Sequence, residues 1–149
     1  MKVALIGGTG FVGSYITDEL IAHDMIPRLL VRQGSESKFL QPERCELVFG
    51  DLSHHPRRVL VPAILETLLG CDAVIYNAGI IRESPAQGLT YENLHFHGAK
   101  RCIDAAKELK INRFILMSAN GVKKAGTGYQ STKMLAEEYL KTANLDYTI

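Results

Sequence analysis

Apolar positions along this chain follow two alternating patterns. Short, mostly apolar runs recur at Lys2–Ile6, Pro27–Val31, Glu46–Phe49, Ala73–Tyr76, Phe114–Met117 and Asp146–Ile149. Runs of this length between turn residues predict strands of a parallel sheet, buried on both faces. Between them the apolar spacing changes to three and four. Val12, Ile16 and Leu20 share one face of a helix that ends near His23. Pro62–Leu69 predicts a short helix, with proline in its first turn and Gly70 just past its end. Leu94, Gly98, Cys102, Ala105 and Leu109 line one face of a long helix, and a last helix runs from Tyr129 to Thr142. The repeated strand–helix–strand pattern predicts an α/β fold: a doubly wound parallel sheet with helices on both faces. No repeat, low-complexity tract or linker divides the 149 residues, so they form one domain. The chain stops inside a predicted strand, and residues 1–149 are expected to be a domain incomplete at its C-terminal end.

The turn after the first strand carries chemistry. Gly7-Gly-Thr-Gly10-Phe-Val-Gly13 joins an apolar strand to an amphipathic helix. This is how a chain brings backbone N–H groups and a helix N-terminus up to a pyrophosphate. Gly7 permits the tight turn, Gly10 lets phosphate approach the backbone, and Gly13 allows close helix–sheet packing. Thr9 and Phe11 are expected to flank the phosphates, and Val12 is expected in the same cofactor site. The ends of later strands supply the rest of a dinucleotide site: Asp51 and Leu52 beside adenine, and Asn77, Ala78 and Gly79 beside the nicotinamide ribose. The second strand ends in Val31-Arg32-Gln33, and no acid follows until Glu36. An arginine here suits a 2′-phosphate, so the expected cofactor is NADP(H) in preference to NAD(H). Ser35, Ser37 and Lys38 are nearby.

Tyr129 and Lys133 are four apart and share a helix face. An ammonium beside a phenol favours the phenolate, and a phenol so tuned exchanges a proton with a carbonyl or alcohol. Ser118, at the end of the fifth strand, is expected to hydrogen-bond the same substrate oxygen.

With these residues in view, the chain resembles the short-chain dehydrogenase/reductase superfamily from Lys2 to Ile149. The glycine spacing is similar to the extended and atypical branches, which include NAD-dependent epimerases and dehydratases. Val31-Arg32, Gly50-Asp51-Leu52, Gly70-Cys-Asp-Ala-Val-Ile, Gly98 with Ala105-Ala106, and Arg113-Phe-Ile-Leu-Met-Ser118 fall in the family's order. Ala78-Gly79-Ile80-Ile81-Arg82-Glu83 is most similar to relatives of the nucleotide-binding accessory subunit of respiratory complex I. The resemblance implies an NAD(P)-binding Rossmann domain, here without its C-terminal substrate lobe. It implies Tyr129 as acid/base, Lys133 as the cation that favours its phenolate and anchors the ribose, and Ser118 as a substrate-orienting donor. The family's helix asparagine falls on His95, with Asn93 two positions away. Two functions follow: hydride transfer at a small carbonyl or alcohol carbon in the full-length protein, or a non-catalytic NADP(H)-binding scaffold or assembly factor of a respiratory or photosynthetic complex. The partners are accordingly a small-molecule substrate or a protein complex. A homodimer through the helices around Leu94–Leu109 and Tyr129–Thr142 is a family-level expectation.

Composition narrows these readings further. A net charge of +1 gives no pull toward nucleic acid. No apolar run approaches a membrane span. Cys45, Cys71 and Cys102 form no CxxC and read as reduced thiols of a cytoplasmic protein. His54–Val61, basic at His54-His55-Pro56-Arg57-Arg58, reads as a solvated loop in preference to a segment that helps hold phosphate. Its paired histidines lack companions at ligand spacing, and no metal site is expected. His23, His95 and His97 are read as structural.

Overall fold

A computed structural model of the chain describes residues 1–35, 41–53 and 57–149, with the backbone alone over 57–60. In chain order the elements are β1 (Lys2–Ile6), α1 (Phe11–Ala22), β2 (Ile26–Val31), β3 (Glu46–Phe49), α2 (Arg57–Leu68), β4 (Ala73–Tyr76), α3 (Gly98–Glu108), β5 (Arg113–Leu116), α4 (Gly128–Lys141) and β6 (Asp146–Thr148). The six strands pair in parallel in the order β3-β2-β1-β4-β5-β6. The order reverses between β1 and β4, the crevice where open α/β sheets hold ligands.

Alternation along each strand sorts side chains to opposite faces. Ala4, Ile6, Leu30, Val74, Tyr76, Phe114 and Leu116 join one core with residues of α2, α3 and α4. Val3, Leu5, Leu29, Val31, Ala73 and Ile75 form a smaller core, packed by Ile16 and Leu20 of α1. Among the described residues, one face of the sheet is thus covered by three helices and the other by one.

The predicted strands agree with the observed ones within a residue, but two helices differ. The buried residues of α1 are Gly13, Thr17 and Ile21, one position on from the predicted Val12–Ile16–Leu20 stripe, and Val12 is exposed. The cause is Gly13. A Cβ there would lie 2.1 Å from the Gly7 carbonyl oxygen, so its bare backbone seats the helix directly on the turn. Ile16 and Leu20 pack at the side of that contact. The second difference is α2, which begins at Arg57 and holds Pro62 in its interior. Arg57–Val61 is therefore helix and not the expected loop. Pro62 lacks the N–H that would bond back one turn, and the helix carries on past that single loss. Glu36, Ser37, Lys38, His54, His55 and Pro56 lie outside the described residues, as do the side chains of Arg57 and Arg58.

Before α3 the chain makes a wide π-helical turn over Glu92–His97, where the Gly98 N–H bonds the Asn93 carbonyl. The buried Tyr76 hydroxyl donates to the Leu94 carbonyl within this turn at 2.5 Å. A Cβ on Gly98 would stand 2.3 Å from that hydroxyl, so the glycine and the wide turn together make room for it. Turns of this kind often sit beside functional groups.

Candidate functional site

Strand register brings the glycine turn and the end of β4 together. Ile6 is level with Leu30 on one side and Tyr76 on the other. The Asn77 N–H bonds the Ile6 carbonyl at 2.8 Å, and the Asn77 side chain donates to the Gly7 carbonyl at 3.4 Å. Gly7 takes φ +96°, and a Cβ on it would meet Ala78 N at 2.6 Å. The turn is thus packed against the β4 loop through bare backbone.

A groove of about 550 Å³ opens over these strand ends. Its lining includes Gly7, Thr9, Gly10, Phe11 and Val12 from the first turn, and Arg32, Asp51 and Leu52 from the ends of β2 and β3. Asn77, Ala78 and Gly79 close it from β4. These are the residues expected from the sequence. Gly13 and Lys133, also expected in the cofactor site, lie outside the lining, and Gly13 sits beneath the turn. At the mouth, α1 begins at Gly10 with no side-chain cap and no acid in its first turn. Its unpaired N–H groups and positive end therefore face the groove. A Cβ on Gly10 would have no protein atom nearer than 3.5 Å, so that glycine opens toward the groove and not toward the fold. Arg32 is exposed at the rim. Asp51 Oδ1 accepts from the Ser53 N–H at 2.8 Å and the Ser53 hydroxyl at 2.6 Å, which fixes that turn. An open helix N-terminus, a bare glycine turn and a groove lined from the ends of β1, β2, β3 and β4 at the switch point fit a dinucleotide.

Tyr129 and Lys133 are both carried by α4. A capping box between Thr127 and Gln130 starts α4 and sets Tyr129 in its first turn. Lys133 is buried, and its Nζ donates to the Met117 carbonyl at 2.8 Å. Burial pushes its pKa down. Its ammonium stands behind Gly79, within 3.5 Å of where a Cβ would be. Among the described residues no group hydrogen-bonds the Tyr129 hydroxyl. The Tyr129 ring packs edge-on against His95 at 5.0 Å and Tyr91 at 5.7 Å.

His95 is the group the sequence undervalued. It is 1% exposed. Its Nε2 accepts the Ile80 N–H at 3.1 Å, which makes Nδ1 the protonated nitrogen. Nδ1 lies 3.2 Å from Thr132 Oγ1, and that hydroxyl donates onward to the Gly128 carbonyl at 2.7 Å. Burial, and then the Lys133 charge, push its pKa down to about 4. It is therefore a neutral, fully engaged ring. Asn93 serves elsewhere, with its side chain donating to the Gly88 carbonyl at 3.1 Å.

Ser118 makes its hydrogen bond to another residue of α4. Its hydroxyl donates to Glu137 Oε1 at 2.5 Å, which commits that proton to α4 one turn beyond Lys133. The groove also takes in Leu30, Gly50, Ile80, Ile81, Leu89 and Leu94, which were not assigned from the sequence. Gly50 and Ile80-Ile81 adjoin motifs that were noted. Leu94 belongs to the apolar helix face read from the sequence and reaches the groove from the π-helical turn, whereas no local pattern marks Leu89. Among the described residues no cluster of three or more potential metal ligands forms, and no helix is long and apolar enough to cross a membrane.

Comparison with known proteins agrees with this geometry. The family model described as NAD(P)H-binding matches residues 7–149. The photosystem II assembly factor Ycf39 of Cyanophora paradoxa is 33% identical over all of this chain and 44% of its own length. A 4-hydroxy-2-methyl-3-oxo-4-farnesyl-3,4-dihydroquinoline-1-oxide ketoreductase of Stigmatella aurantiaca is 24% identical, covering 97% of this chain and 46% of its own. The chain thus spans less than half the length of these relatives. A solved structure described as an NAD-dependent epimerase/dehydratase from Bacillus halodurans superposes with a TM-score of 0.80 at 26% identity, covering all of this chain and 68% of that one. With its glycine turn, sheet order and groove, the chain belongs to the NAD(P)H-binding family, as a Rossmann domain of the short-chain dehydrogenase/reductase and epimerase/dehydratase kind.

Proposed function

We propose that this domain binds NADP(H) in preference to NAD(H) and, in the whole protein, serves proton-coupled hydride exchange at a carbonyl or alcohol carbon. The observation that carries this reading is the pairing of an uncommitted phenol with a buried ammonium. Tyr129 keeps its hydroxyl free of described partners, while Lys133 spends one donor on Met117 and stands behind the groove-lining Gly79. A nicotinamide bound in the groove would supply the hydride. The chain's own part is position and proton. Gly7, Gly10 and the α1 N-terminus would hold the pyrophosphate, and Arg32 would pair with a 2′-phosphate. Asp51 and Leu52 would border the adenosine. Asn77, Ala78, Gly79 and Lys133 would hold the second ribose. Tyr129 would give its proton to a carbonyl oxygen or take one from an alcohol, with Lys133 holding the phenolate that results. Ser118 would orient the substrate only after releasing Glu137. Three free cysteines support a reducing, cytoplasmic setting.

The test is a paired titration with NADPH and NADH, followed by turnover against a panel of ketones. NADPH should bind at least tenfold tighter, about the 1.4 kcal/mol expected for one charge-assisted contact, and Arg32→Ala should erase the difference. Equal affinities in the parent would remove Arg32 from this role. Tyr129→Phe should abolish turnover and leave cofactor affinity unchanged.

A second reading has its own support. The Ser118–Glu137 bond leaves the proposed substrate donor occupied, and one relative of this chain is an assembly factor. On that reading the domain holds NADP(H) without turning it over and binds a protein complex, with an affinity that NADPH changes. A pull-down indifferent to NADPH counts against it. A homodimer through α3 and α4 is compatible with either reading and is checked by light scattering.

A further inference from the structure

The lip of the groove beyond Gly79 has little burial of its own: Ile81 is 91% exposed. Two polar contacts tie it down, and both come from the π-helical turn region. The Ile80 N–H bonds His95 Nε2, and the Ile81 carbonyl accepts from the Tyr91 hydroxyl at 2.7 Å. Tyr91 and His95 are themselves stacked, with centroids 5.3 Å apart and planes at 25°. From its other nitrogen, His95 reaches Thr132 on α4, in the turn between Tyr129 and Lys133. The edge of Tyr129 closes against the same imidazole. One ring therefore touches the groove lip, the proposed acid/base and the helix that carries the proposed ammonium.

We infer that His95 is a positioning residue of the dinucleotide site, a clamp that fixes the distance between the Ile80 lip and the Tyr129–Lys133 face of α4. The inference rests on the cofactor reading above for its function, though the clamp itself is a property of the unliganded chain. An imidazole suits the place because it carries an acceptor and a donor on opposite sides of a rigid ring. It also does so without charge, next to an ammonium. A Cβ on Gly79 would lie 3.4 Å from His95 Nε2 and 3.5 Å from Lys133 Nζ, so a protonated ring would set two cations on the same wall. Tyr129 and Lys133 act on the reacting groups. His95 acts through Ile80 and Thr132, by holding the two walls at a fixed separation.

Two near-isosteric variants separate the roles of the ring nitrogens. In His95→Gln the amide oxygen reaches the Nε2 position and keeps the Ile80 contact. In His95→Asn the amide reaches only as far as Nδ1 and loses it. Three readouts apply: hydrogen exchange at the Ile80 amide of the unliganded protein, affinity for NADPH, and affinity for ADP, which fills only the glycine-turn half. His95→Asn should speed Ile80 exchange and weaken NADPH by about tenfold each, the worth of one net hydrogen bond. Its ADP affinity should stay within about twofold of the parent, and His95→Gln should stay within about threefold for all three. Nitrogen NMR of the parent should show Nδ1 protonated and Nε2 bare. Equal behaviour of the two variants, or ADP weakened as much as NADPH, overturns the clamp. If the parent binds no dinucleotide while Ile80 exchange still follows the Gln/Asn pattern, the clamp stands and the cofactor reading falls.

Discussion

His95 shows at the scale of one residue how burial turns a common side chain into a structural acceptor. An imidazole with a pKa near 6.5 in the open chain and about 4 in the fold binds its proton more readily when unfolded. Between those values the unfolded state holds more protons, so stability falls as pH drops from 6.5 toward 4 and is fully present above 6.5. The ceiling on this loss is about 3 kcal/mol, set by the size of the shift. Urea midpoints of the parent and His95→Asn across that window should show a steeper acid slope in the parent. Parallel slopes would mean that the ring titrates as if exposed. Lys133 is a second buried group held against its preference, with one carbonyl as its described partner. Lys133→Met should therefore bind NADPH at least tenfold more weakly, roughly the value of one charged contact, while losing less stability than an ordinary core substitution.

At the scale of elements, two glycines three residues apart separate folding from binding. Gly13→Ala would push a methyl into the Gly7 carbonyl and the Gly8 Cα, backbone atoms with no freedom to move aside. Lifting α1 should cost about 1–3 kcal/mol, the usual range for overpacking, read as a lower urea midpoint. Gly10→Ala meets nothing in the fold closer than 3.5 Å. It should leave the midpoint unchanged and weaken dinucleotide binding, because its methyl would enter the groove that Gly10 lines. A matching loss of stability in both variants would remove the distinction. The glycine turn was legible from sequence because local backbone needs dictate residue type. The strands were legible because burial on both faces leaves an unbroken apolar run. Less local features were not. The α1 stripe was misplaced by one residue because a glycine contact counts for nothing in a hydrophobic pattern. The start of α2 was missed because a proline at an internal position looks the same in sequence as one at a first turn. The π-helical turn was hidden within a spacing that also fits an α-helix, and its cause, the Tyr76 hydroxyl, comes from a strand eighteen residues back. Ser118 lies two residues past the end of β5, and its partner, Glu137, could not be read from the serine's own surroundings.

At the scale of the whole molecule, the sheet is unevenly clothed, and its protection should vary across its width. β1 lies between β2 and β4, and Ala4, Leu5 and Ile6 have no exposed surface. β6 pairs on one side only, and its residues are exposed. Amide exchange should run fastest in β6 and slowest in β1 and β4. Uniform rates across the sheet would show that it opens only as a unit. The glycine turn leaves directly from β1, the strand most deeply enclosed, and is braced against the loop that leaves β4. The glycine turn is thus joined to the strands whose amides should exchange most slowly. If exchange follows this order, dinucleotide affinity should outlast the opening of β6, and it becomes a gauge of whether the centre of the sheet is intact.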